Sequence, residues 1–350
     1  MAETVLALRI IKTIIGLLGI FDNGLVILVI ARVKFMHSMT NAFICHQAVI
    51  DLVGSLLLLL GSNISDPDPF PESTAGEVLC RLWSGDALLW LFFVVSTFNL
   101  LGLTLERYFA IVYPLRYLAV FGRRTAAGIM VATWGIGIVL KSYSFLIYTV
   151  VDGVCKFQRI SVSHFMGPLL ICLQYFLPAG VMFFCYIHIT VSLKRSAMRV
   201  IPAPAPITKP QSDTDDRAPS KPSQCQAAAG LVANDPQNAL YRARRNTFKT
   251  LVIVFVVFLV CWSPSQITFF MFNLGWFKLE FTSPLNVFST TMVAANCCIN
   301  PIIYSFQYNQ FQRGVKQLFL GEAVVQNSSR TSESKRQAPR NHATNSTANN

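Results

Sequence analysis

Seven long apolar runs dominate this chain of 350 residues. Each run reaches the roughly 20 mostly apolar residues that an α-helix needs to cross the hydrocarbon core of a bilayer. The alternating hydrophobicity of a membrane β-barrel is missing, and helices are the remaining way to satisfy backbone polar groups in lipid. We therefore predict an all-α, seven-transmembrane helix bundle with spans near residues 6–31, 41–62, 80–112, 126–149, 165–193, 247–273 and 284–306.

The composition favours a membrane protein over a nucleic-acid-binding one. Hydrophobic residues make up 53% of the chain and charged residues only 13%, whereas a soluble domain carries about 25% charged residues. The net charge is +12, but the basic residues lie mainly in alternate loops between the apolar runs. Cytoplasmic loops are enriched in Lys and Arg, so these loops are expected inside the cell, with the N-terminus outside and the C-terminus in the cytoplasm.

Three segments outside the spans differ in character. Residues 198–243 are rich in Pro, Ala, Ser and Gln and are predicted to form a disordered third cytoplasmic loop. Residues 321–350 are predicted to be a disordered cytoplasmic tail. Between them, residues 308–320 mix apolar and basic side chains at a spacing that suits a short amphipathic helix on the inner membrane surface. The helical domain therefore covers residues 1–320.

Two features are expected on the outer side of the membrane. The chain has nine cysteines, and only Cys80 and Cys155 fall outside the spans on that side. An oxidising compartment favours a disulfide between them, which would tie the loop 150–163 across the mouth of the bundle. The sequence Asn63-Ile64-Ser65 is a glycosylation acceptor in the first outer loop.

Every predicted span carries a polar, aromatic or proline signature. In chain order these are Asn23 with Val26; Asp51; Glu106-Arg107-Tyr108; Trp134; Pro178 with Tyr186; Phe258 with Cys261-Trp262-Ser263-Pro264; and Asn296 with Asn300-Pro301-Ile302-Ile303-Tyr304. The ordered set resembles the rhodopsin-like (class A) G-protein-coupled receptors over roughly residues 5–320. The resemblance implies a plasma-membrane receptor, not an enzyme, whose partners are an extracellular ligand, a heterotrimeric G protein, arrestin and receptor kinases.

The resemblance implies roles for the inner ends of the spans. Arg107 is expected to pair with Glu106 in a resting bundle and to turn towards Tyr186 and Tyr304 in an active one. The residues assigned to G-protein coupling and activation are Glu106, Arg107, Tyr108, Tyr186, Asn300, Pro301 and Tyr304.

The middle of the bundle is expected to hold a switch and a polar pocket. Pro264 kinks the sixth span and leaves Trp262 at the pocket floor, with Phe258 one turn further in. Four polar residues, Asp51, Ser96, Asn296 and Asn300, are implied to line a pocket for sodium and water. The alternative is that Asp51 is simply protonated or hydrogen-bonded without an ion.

Several residues depart from the pattern of the family. Asp22 adds a second intramembrane acid, either protonated or part of the polar pocket. Gln47 replaces the usual Leu four residues before Asp51. Cys80 stands two residues further from Arg107 than usual. Arg244 occupies a position where many relatives carry a Glu that pairs with the Arg of the third span. That lock cannot form here, and the hypothesis is appreciable basal activity.

The expected ligand is a short peptide. The position where amine receptors carry an Asp holds Leu89, and Asp86, one turn nearer the mouth, could replace it only if the helix register slips. The position of the retinal-bearing Lys of opsins holds Ala294, which argues against an opsin. The candidate pocket is aromatic with amide groups and comprises Asp86, Leu89, Trp90, Phe93, Gln174, Trp262, Gln266, Phe269, Asn286 and Thr290. The alternatives are a receptor for a small non-amine molecule, a cation transporter or channel with the intramembrane acids as its path, and a coupling-silent scavenging receptor.

Overall fold

The computed structural model of the protein describes residues 2–158, 160–200, 236–276 and 283–321. Seven helices in this part are long and apolar enough to cross a membrane, which confirms the predicted seven-helix fold. The spans are Leu6–Arg32, Met39–Asn63, Ala87–Val112, Arg123–Ile147, Ser163–Arg195, Arg245–Asn273 and Pro284–Gln307.

The helices that contain these spans, numbered from first to seventh, have the following bounds. They are Ala2–Arg32, Met39–Asn63, Ala87–Val112, Arg123–Ser142 continued by Ser144–Ile147, Ser163–Ile171 joined through a π-helical turn at Cys172–Phe176 to Leu177–Val200, Pro236–Asn273, and Pro284–Gln307. The shorter elements are Lys34–Met36, Thr74–Leu79, Cys80–Ser84, Pro114–Val120, Asn309–Leu320, and the strands Tyr148–Val151 and Val154–Phe157.

The predicted start of the third span, near residue 80, is wrong. Cys80–Ser84 forms a π-helical turn, and Asp86 adopts a left-handed backbone with φ 52° before the helix begins at Ala87. A π-helical turn contains more residues than an α-helical turn. This turn and the left-handed backbone of Asp86 accommodate the unusual sequence separation between Cys80 and Arg107.

The predicted disordered loop 198–243 is wrong at both of its ends. The fifth helix continues to Val200, and the sixth begins at Pro236. Proline suits a first helical position, since its missing N–H would have no partner there, and the good helix formers Gln237, Ala239 and Leu240 follow. The remainder of that loop, 201–235, and the tail 322–350 lie outside the described residues.

The bundle has an apolar exterior and a partly polar interior. Phe21, Val131 and Phe306 are 70%, 71% and 75% exposed on the outside of the helices, where lipid would surround them. In contrast, Asp51 and Asn300 are only 1% exposed in the interior. This inverted distribution is expected of a bundle whose polar residues must find partners among neighbouring helices.

The first two spans approach closely through small residues. A Cβ atom added at Gly19 would lie 2.1 Å from the Ser55 Oγ, so only glycine fits this crossing. One turn further, the Asn23 Nδ2 donates to the carbonyl oxygens of Gly19 and Cys297, both at 2.8 Å. Asn23 therefore joins the first span to the seventh.

A short helix, Asn309–Leu320, follows the seventh span. Its position on the inner membrane surface stays a prediction. Its Phe311 is 1% exposed, whereas Phe319 and Leu320 face outwards. A Cβ at Gly314 would lie 2.8 Å from the Val29 Cγ1, so the helix packs directly under the first span.

An antiparallel hairpin between the fourth and fifth helices packs against the segment that precedes the third helix. Its strands pair Val150 with Cys155 and Val151 with Val154. Cys155 forms a disulfide with Cys80, which confirms the predicted pairing. The hairpin is thus covalently attached to the segment that leads into the third span.

Candidate functional site

Arg107 is held at the inner end of the bundle by the residue before it. Its guanidinium donates through Nε and a terminal nitrogen to the two carboxylate oxygens of Glu106, which is fully buried. The same carboxylate accepts hydrogen bonds from the Tyr117 hydroxyl at 2.7 Å and from the Thr40 Oγ1 at 3.3 Å. Glu106 therefore collects the third span, the helix Pro114–Val120 and the second span around one charge.

The tyrosines expected to receive Arg107 in an active receptor do not contact it here. The Tyr186 hydroxyl lies 2.9 Å from the Thr104 Oγ1. The Tyr304 hydroxyl is buried and has no hydrogen-bond partner within the described part of the chain. Tyr108 instead bonds His188 at 2.9 Å. The geometry matches the expected resting arrangement, in which Arg107 is paired with Glu106.

Two residues near the inner end of the bundle, Tyr117 and Arg244, need separate comment. Tyr117 was missed because its contact with Glu106 depends on how the short helix Pro114–Val120 folds back on the third span. The side chain of Arg244 lies outside the described residues, so the absence of an ion pair at that position stays a prediction.

An aromatic cluster occupies the middle of the bundle. Trp262 is 1% exposed, and its ring centroid lies 5.5 Å from that of Phe258 and 6.4 Å from those of both Trp90 and Phe93. Pro264 lies inside the sixth helix, two residues further out. The predicted switch residues are therefore in contact with two residues of the candidate ligand pocket.

A buried polar cluster surrounds Asp51 one layer below. The Ser96 hydroxyl donates to Oδ1 and the Asn300 Nδ2 donates to Oδ2, each at 3.0 Å. The Oδ1 atoms of Asn296 and Asn300 are buried without a partner in the described part of the chain. The structure thus brings Asp51, Ser96 and Asn300 together, as predicted, and links Asn296 to them by no hydrogen bond.

The residues around this cluster do not fit a sodium ion held by both Asp51 and Ser96. The Gln47 Nε2 lies 3.1 and 3.0 Å from the two Asp51 carboxylate oxygens and also contacts the Ser96 Oγ. An amide nitrogen presents hydrogens and cannot ligate a cation. The position between the carboxylate and the hydroxyl is therefore filled by a donor.

Asp22 does not join this cluster. It lines a separate cavity of about 200 Å³ between the first span, the seventh span and the surface helix. Pro301, Ser305 and Phe311 line the same cavity. Within the described residues, no hydrogen bond connects Asp22 with Asp51, which weakens the idea of a continuous cation path.

The outer half of the candidate pocket is lined by aromatic and amide groups. The Trp90 and Phe93 rings lie 5.7 Å apart. On the opposite side, the Gln174 Nε2 donates to the Gln266 Oε1 at 3.4 Å, while the Gln174 Oε1 has no partner among the described residues. Leu89, which fills the position of the amine-binding Asp, packs against the hydrophobic core.

The other candidate pocket residues make mainly local contacts. Asp86 precedes the third helix and is an exposed residue. Desolvation by the surrounding protein raises the pKa of the Asp86 carboxyl to about 6, and the charge of Lys12 partly offsets this rise. Thr290 bonds the Asn286 carbonyl at 2.9 Å within the seventh helix, and Phe269 lies beside Phe272.

Lys141 lies beside Trp90 of the candidate pocket, and the sequence analysis did not single it out. Its Nζ lies 5.3 Å from the centroid of the Trp90 ring. One turn earlier, a Cβ at Gly137 would lie 2.6 Å from the Val95 Cγ2, so this face of the fourth span packs against the third span. Within the described residues, Lys141 has no carboxylate within 4 Å and no side-chain hydrogen bond. An ionisable residue inside a span was the available signal.

Glu77 fastens the outer hairpin to the entrance of the third span. Its Oε1 accepts hydrogen bonds from the Val150 N–H at 3.1 Å and from the Thr149 Oγ1 at 3.0 Å. Its Oε2 accepts one from Arg81 at 2.9 Å. The Val150 N–H, with smaller effects of Thr149 and Arg81, holds the pKa of Glu77 below its ordinary value.

The candidate glycosylation site is engaged with the first span. Asn63 is the last residue of the second helix. Its Nδ2 donates to the Thr13 Oγ1 at 2.9 Å and to the Leu59 carbonyl at 2.8 Å. Glycosylation of Asn63 stays a prediction, and it would require these bonds to open.

Comparison with known proteins agrees with this geometry. The family model of the seven-transmembrane receptors of the rhodopsin family matches residues 22–304. The chain belongs to the rhodopsin family. It is accordingly a multi-pass receptor of the plasma membrane that responds to an extracellular ligand and acts on a G protein, and it is not an enzyme.

Curated relatives of the receptor carry different names. A cholecystokinin receptor of Xenopus laevis is 26% identical and covers 88% of this chain and 75% of its own length. Trace amine-associated receptor 5 of Mus musculus is 28% identical over 87% of this chain and 82% of its own length. Melatonin receptor type 1C of Gallus gallus is 24% identical over 91% and 82%, respectively. These relatives do not agree on a ligand.

Replacing Tyr117 by Phe is expected to raise the basal activity of the receptor. The change removes a hydrogen bond to the charged Glu106, and bonds of this kind contribute about 1.5–3 kcal/mol. A loss of about 1.4 kcal/mol would favour the active population tenfold. Basal G-protein activation at matched surface expression measures this. Tyr143→Phe, which loses a comparable hydrogen bond to Ser163 at the outer end, is the control. Equal basal activity in all three proteins would contradict the prediction.

Replacing Glu77 by Gln is expected to lower the thermal stability of the receptor at neutral pH. Because folding lowers the pKa of Glu77, its contribution is complete above the unfolded value of about 4.5 and disappears as the pH falls through the folded value. The Tm difference between wild type and variant should therefore shrink in acid. Glu72→Gln, at an exposed position, is the control. A Tm difference independent of pH would contradict this explanation.

Proposed function

We propose that the receptor binds a short extracellular peptide between the outer ends of its spans and transmits binding through Trp262 to Arg107. In this proposal the N-terminus is outside and the C-terminus in the cytoplasm. The inner ends of the third, fifth, sixth and seventh spans engage a heterotrimeric G protein. The cytoplasmic tail and loops are the surface for receptor kinases and arrestin.

The pairing of Arg107 with the buried carboxylate of Glu106 is the observation that carries this proposal. Glu106 holds Arg107 at rest. The buried Tyr304 hydroxyl, which has no hydrogen-bond partner among the described residues, is available as a partner in the active arrangement. A ligand that binds the active arrangement more tightly shifts the population towards it. At the inner end of the bundle, that shift consists of Arg107 leaving Glu106 and pairing with a tyrosine hydroxyl.

The amide groups of the outer pocket support a peptide. Gln174 and Gln266 can donate to and accept from a peptide backbone, and the Gln174 Oε1 is a buried acceptor without a partner in the described part of the chain. A ligand N–H would remove the cost of that unpaired atom. Leu89 offers no countercharge to a ligand amine, which separates this pocket from that of an amine receptor.

Lys141 supports an acidic group on the peptide. The ammonium group has three N–H donors, and the Trp90 ring provides attraction but no conventional acceptor for them. Lysines near the end of a span ordinarily extend towards lipid headgroups. Here Lys141 instead lies over a ring that contacts Trp262. A side-chain or C-terminal carboxylate placed over Trp90 would pair with Lys141 and press on the switch.

Coupling is tested by basal activation across a panel of G-protein families, with wild type compared to Arg107→Ala at matched surface expression. We expect a basal signal in the wild type and its loss in the variant, because the sequence carries Arg244 where many relatives have the acidic partner of Arg107. The G-protein family that loses its signal is the coupling partner. Equal signals in the two proteins would contradict both the role of Arg107 and the expected basal activity.

The acidic group is tested with a library of short peptides, each with a free and an amidated C-terminus and with Glu/Gln pairs at internal positions. Activators should carry a carboxylate. Their potency should fall roughly 30-fold in Lys141→Met, since removing one partner of a buried charge pair costs about 2 kcal/mol or more. Lys141→Arg should retain most of it. Lys156→Met, at the exposed hairpin, is the control. Activators that lack an acid, or that act equally on Lys141→Met, would contradict this assignment; non-peptide activators would favour the small-molecule alternative.

A further inference from the structure

We propose that the side-chain amide of Gln47 occupies the place of a sodium ion beside Asp51, so that the polar core of this receptor is stabilised without a cation. The resemblance to the family implies a sodium ion beside Asp51. In this chain, however, hydrogen-bond donors surround the Asp51 carboxylate.

The Gln47 nitrogen occupies a position that bridges Asp51 and Ser96, as an ion held by both would. It is 3.1 Å from Oδ1 and 3.0 Å from Oδ2 of Asp51, and it also contacts the Ser96 Oγ. The Ser96 hydroxyl itself donates to Asp51 Oδ1 at 3.0 Å. One hydrogen of the Gln47 amide can therefore be donated to the Asp51 carboxylate while the other is donated to the Ser96 oxygen.

The orientation of the Gln47 amide is determined from the fourth span. The Trp134 Nε1 can only donate, and its partner is the His46 Nε2 at 3.1 Å. His46 must then donate from Nδ1 to the Asn99 Oδ1 at 2.8 Å. This leaves the Asn99 Nδ2 to donate to the Gln47 Oε1 at 2.8 Å and to the Phe43 carbonyl at 3.1 Å.

The chain of bonds has one direction throughout, from Trp134 to Asp51. With its oxygen bound by Asn99, Gln47 must point its nitrogen at Asp51. A rotation of the amide by 180° would place the Gln47 oxygen against the carboxylate and the two amide nitrogens of Gln47 and Asn99 against each other. Both contacts are unfavourable in a buried site, so the donor position is held strongly.

The carboxylate is already satisfied by neutral donors. Each oxygen of Asp51 accepts from Gln47, while Ser96 and Asn300 complete Oδ1 and Oδ2, respectively. A cation would have to displace the Gln47 nitrogen and break its bonds with Asp51 and Ser96. The unpaired oxygens of Asn296 and Asn300 can be satisfied by a bridging water without that displacement.

The thermal stability of the purified receptor tests the inference without a ligand or a G protein, so its outcome is independent of the proposed function. The Tm is measured in sodium chloride and in choline chloride at the same ionic strength. We expect equal values for wild type. In Gln47→Leu, which keeps a similar volume and removes the donor, we expect sodium to raise the Tm in a saturable manner.

Two further variants establish the position of the ion. Gln47→Glu replaces the donor by an oxygen with little change in shape, and it should also respond to sodium. Asp51→Asn, added to Gln47→Leu, should abolish the response. Thr97→Val is the matched control, because Thr97 is buried next to Ser96 and, among the described residues, its hydroxyl bonds only the Phe93 carbonyl of its own helix. This variant should not respond.

The outcomes separate cleanly. A wild type that does not respond, together with a sodium response in Gln47→Leu or Gln47→Glu that requires Asp51, supports the inference. A saturable sodium response of the wild type that Asp51→Asn removes would overturn it. The inference is equally overturned if neither Gln47 variant gains a response, since Gln47 would then not be what replaces the ion.

Discussion

The architecture of this receptor depends on one constraint: polar groups between seven apolar helices have no bulk water to bind, so they must satisfy one another. Asp51 is the strongest case. It lies at 1% exposure in the second span and receives donors from the second, third and seventh spans. Since an unpaired buried charge is costly, this cluster sets how these three helices are arranged around each other.

At the inner end of the bundle, the buried carboxylate of Glu106 is likewise satisfied by neighbouring polar groups. It gathers Arg107, Tyr117 and Thr40 from three elements. Between this inner cluster and the outer pocket lies the aromatic cluster around Trp262, whose contacts are non-directional and tolerate small displacements more easily than hydrogen bonds do. The bundle thus combines a packed, deformable aromatic cluster with two charge clusters of specific geometry, and this arrangement allows two discrete populations.

Much of the fold was accessible from the sequence because the signals are local. Span length predicted seven helices, and sidedness isolated Cys80 and Cys155 as the outer pair. Adjacency along one helix was enough to predict the pairing of Glu106 with Arg107. The start of the third span was mispredicted because the backbone reversal at Asp86 interrupts a run whose hydropathy continues. Helix at 236–243 was missed because the composition of the whole loop concealed a short stretch of good helix formers.

The sequence by itself determined the number of spans, the family and the residues that carry its signatures, since hydropathy and short motifs are properties of one chain segment. Only the tertiary structure decided which polar groups meet. In the sequence, Gln47 is an unexplained departure and Lys141 an ordinary basic residue near the end of a span. Their positions against Asp51 and Trp90 follow from the rotation of neighbouring helices about their axes. Packing between helices sets those rotations, because no single segment contains both partners.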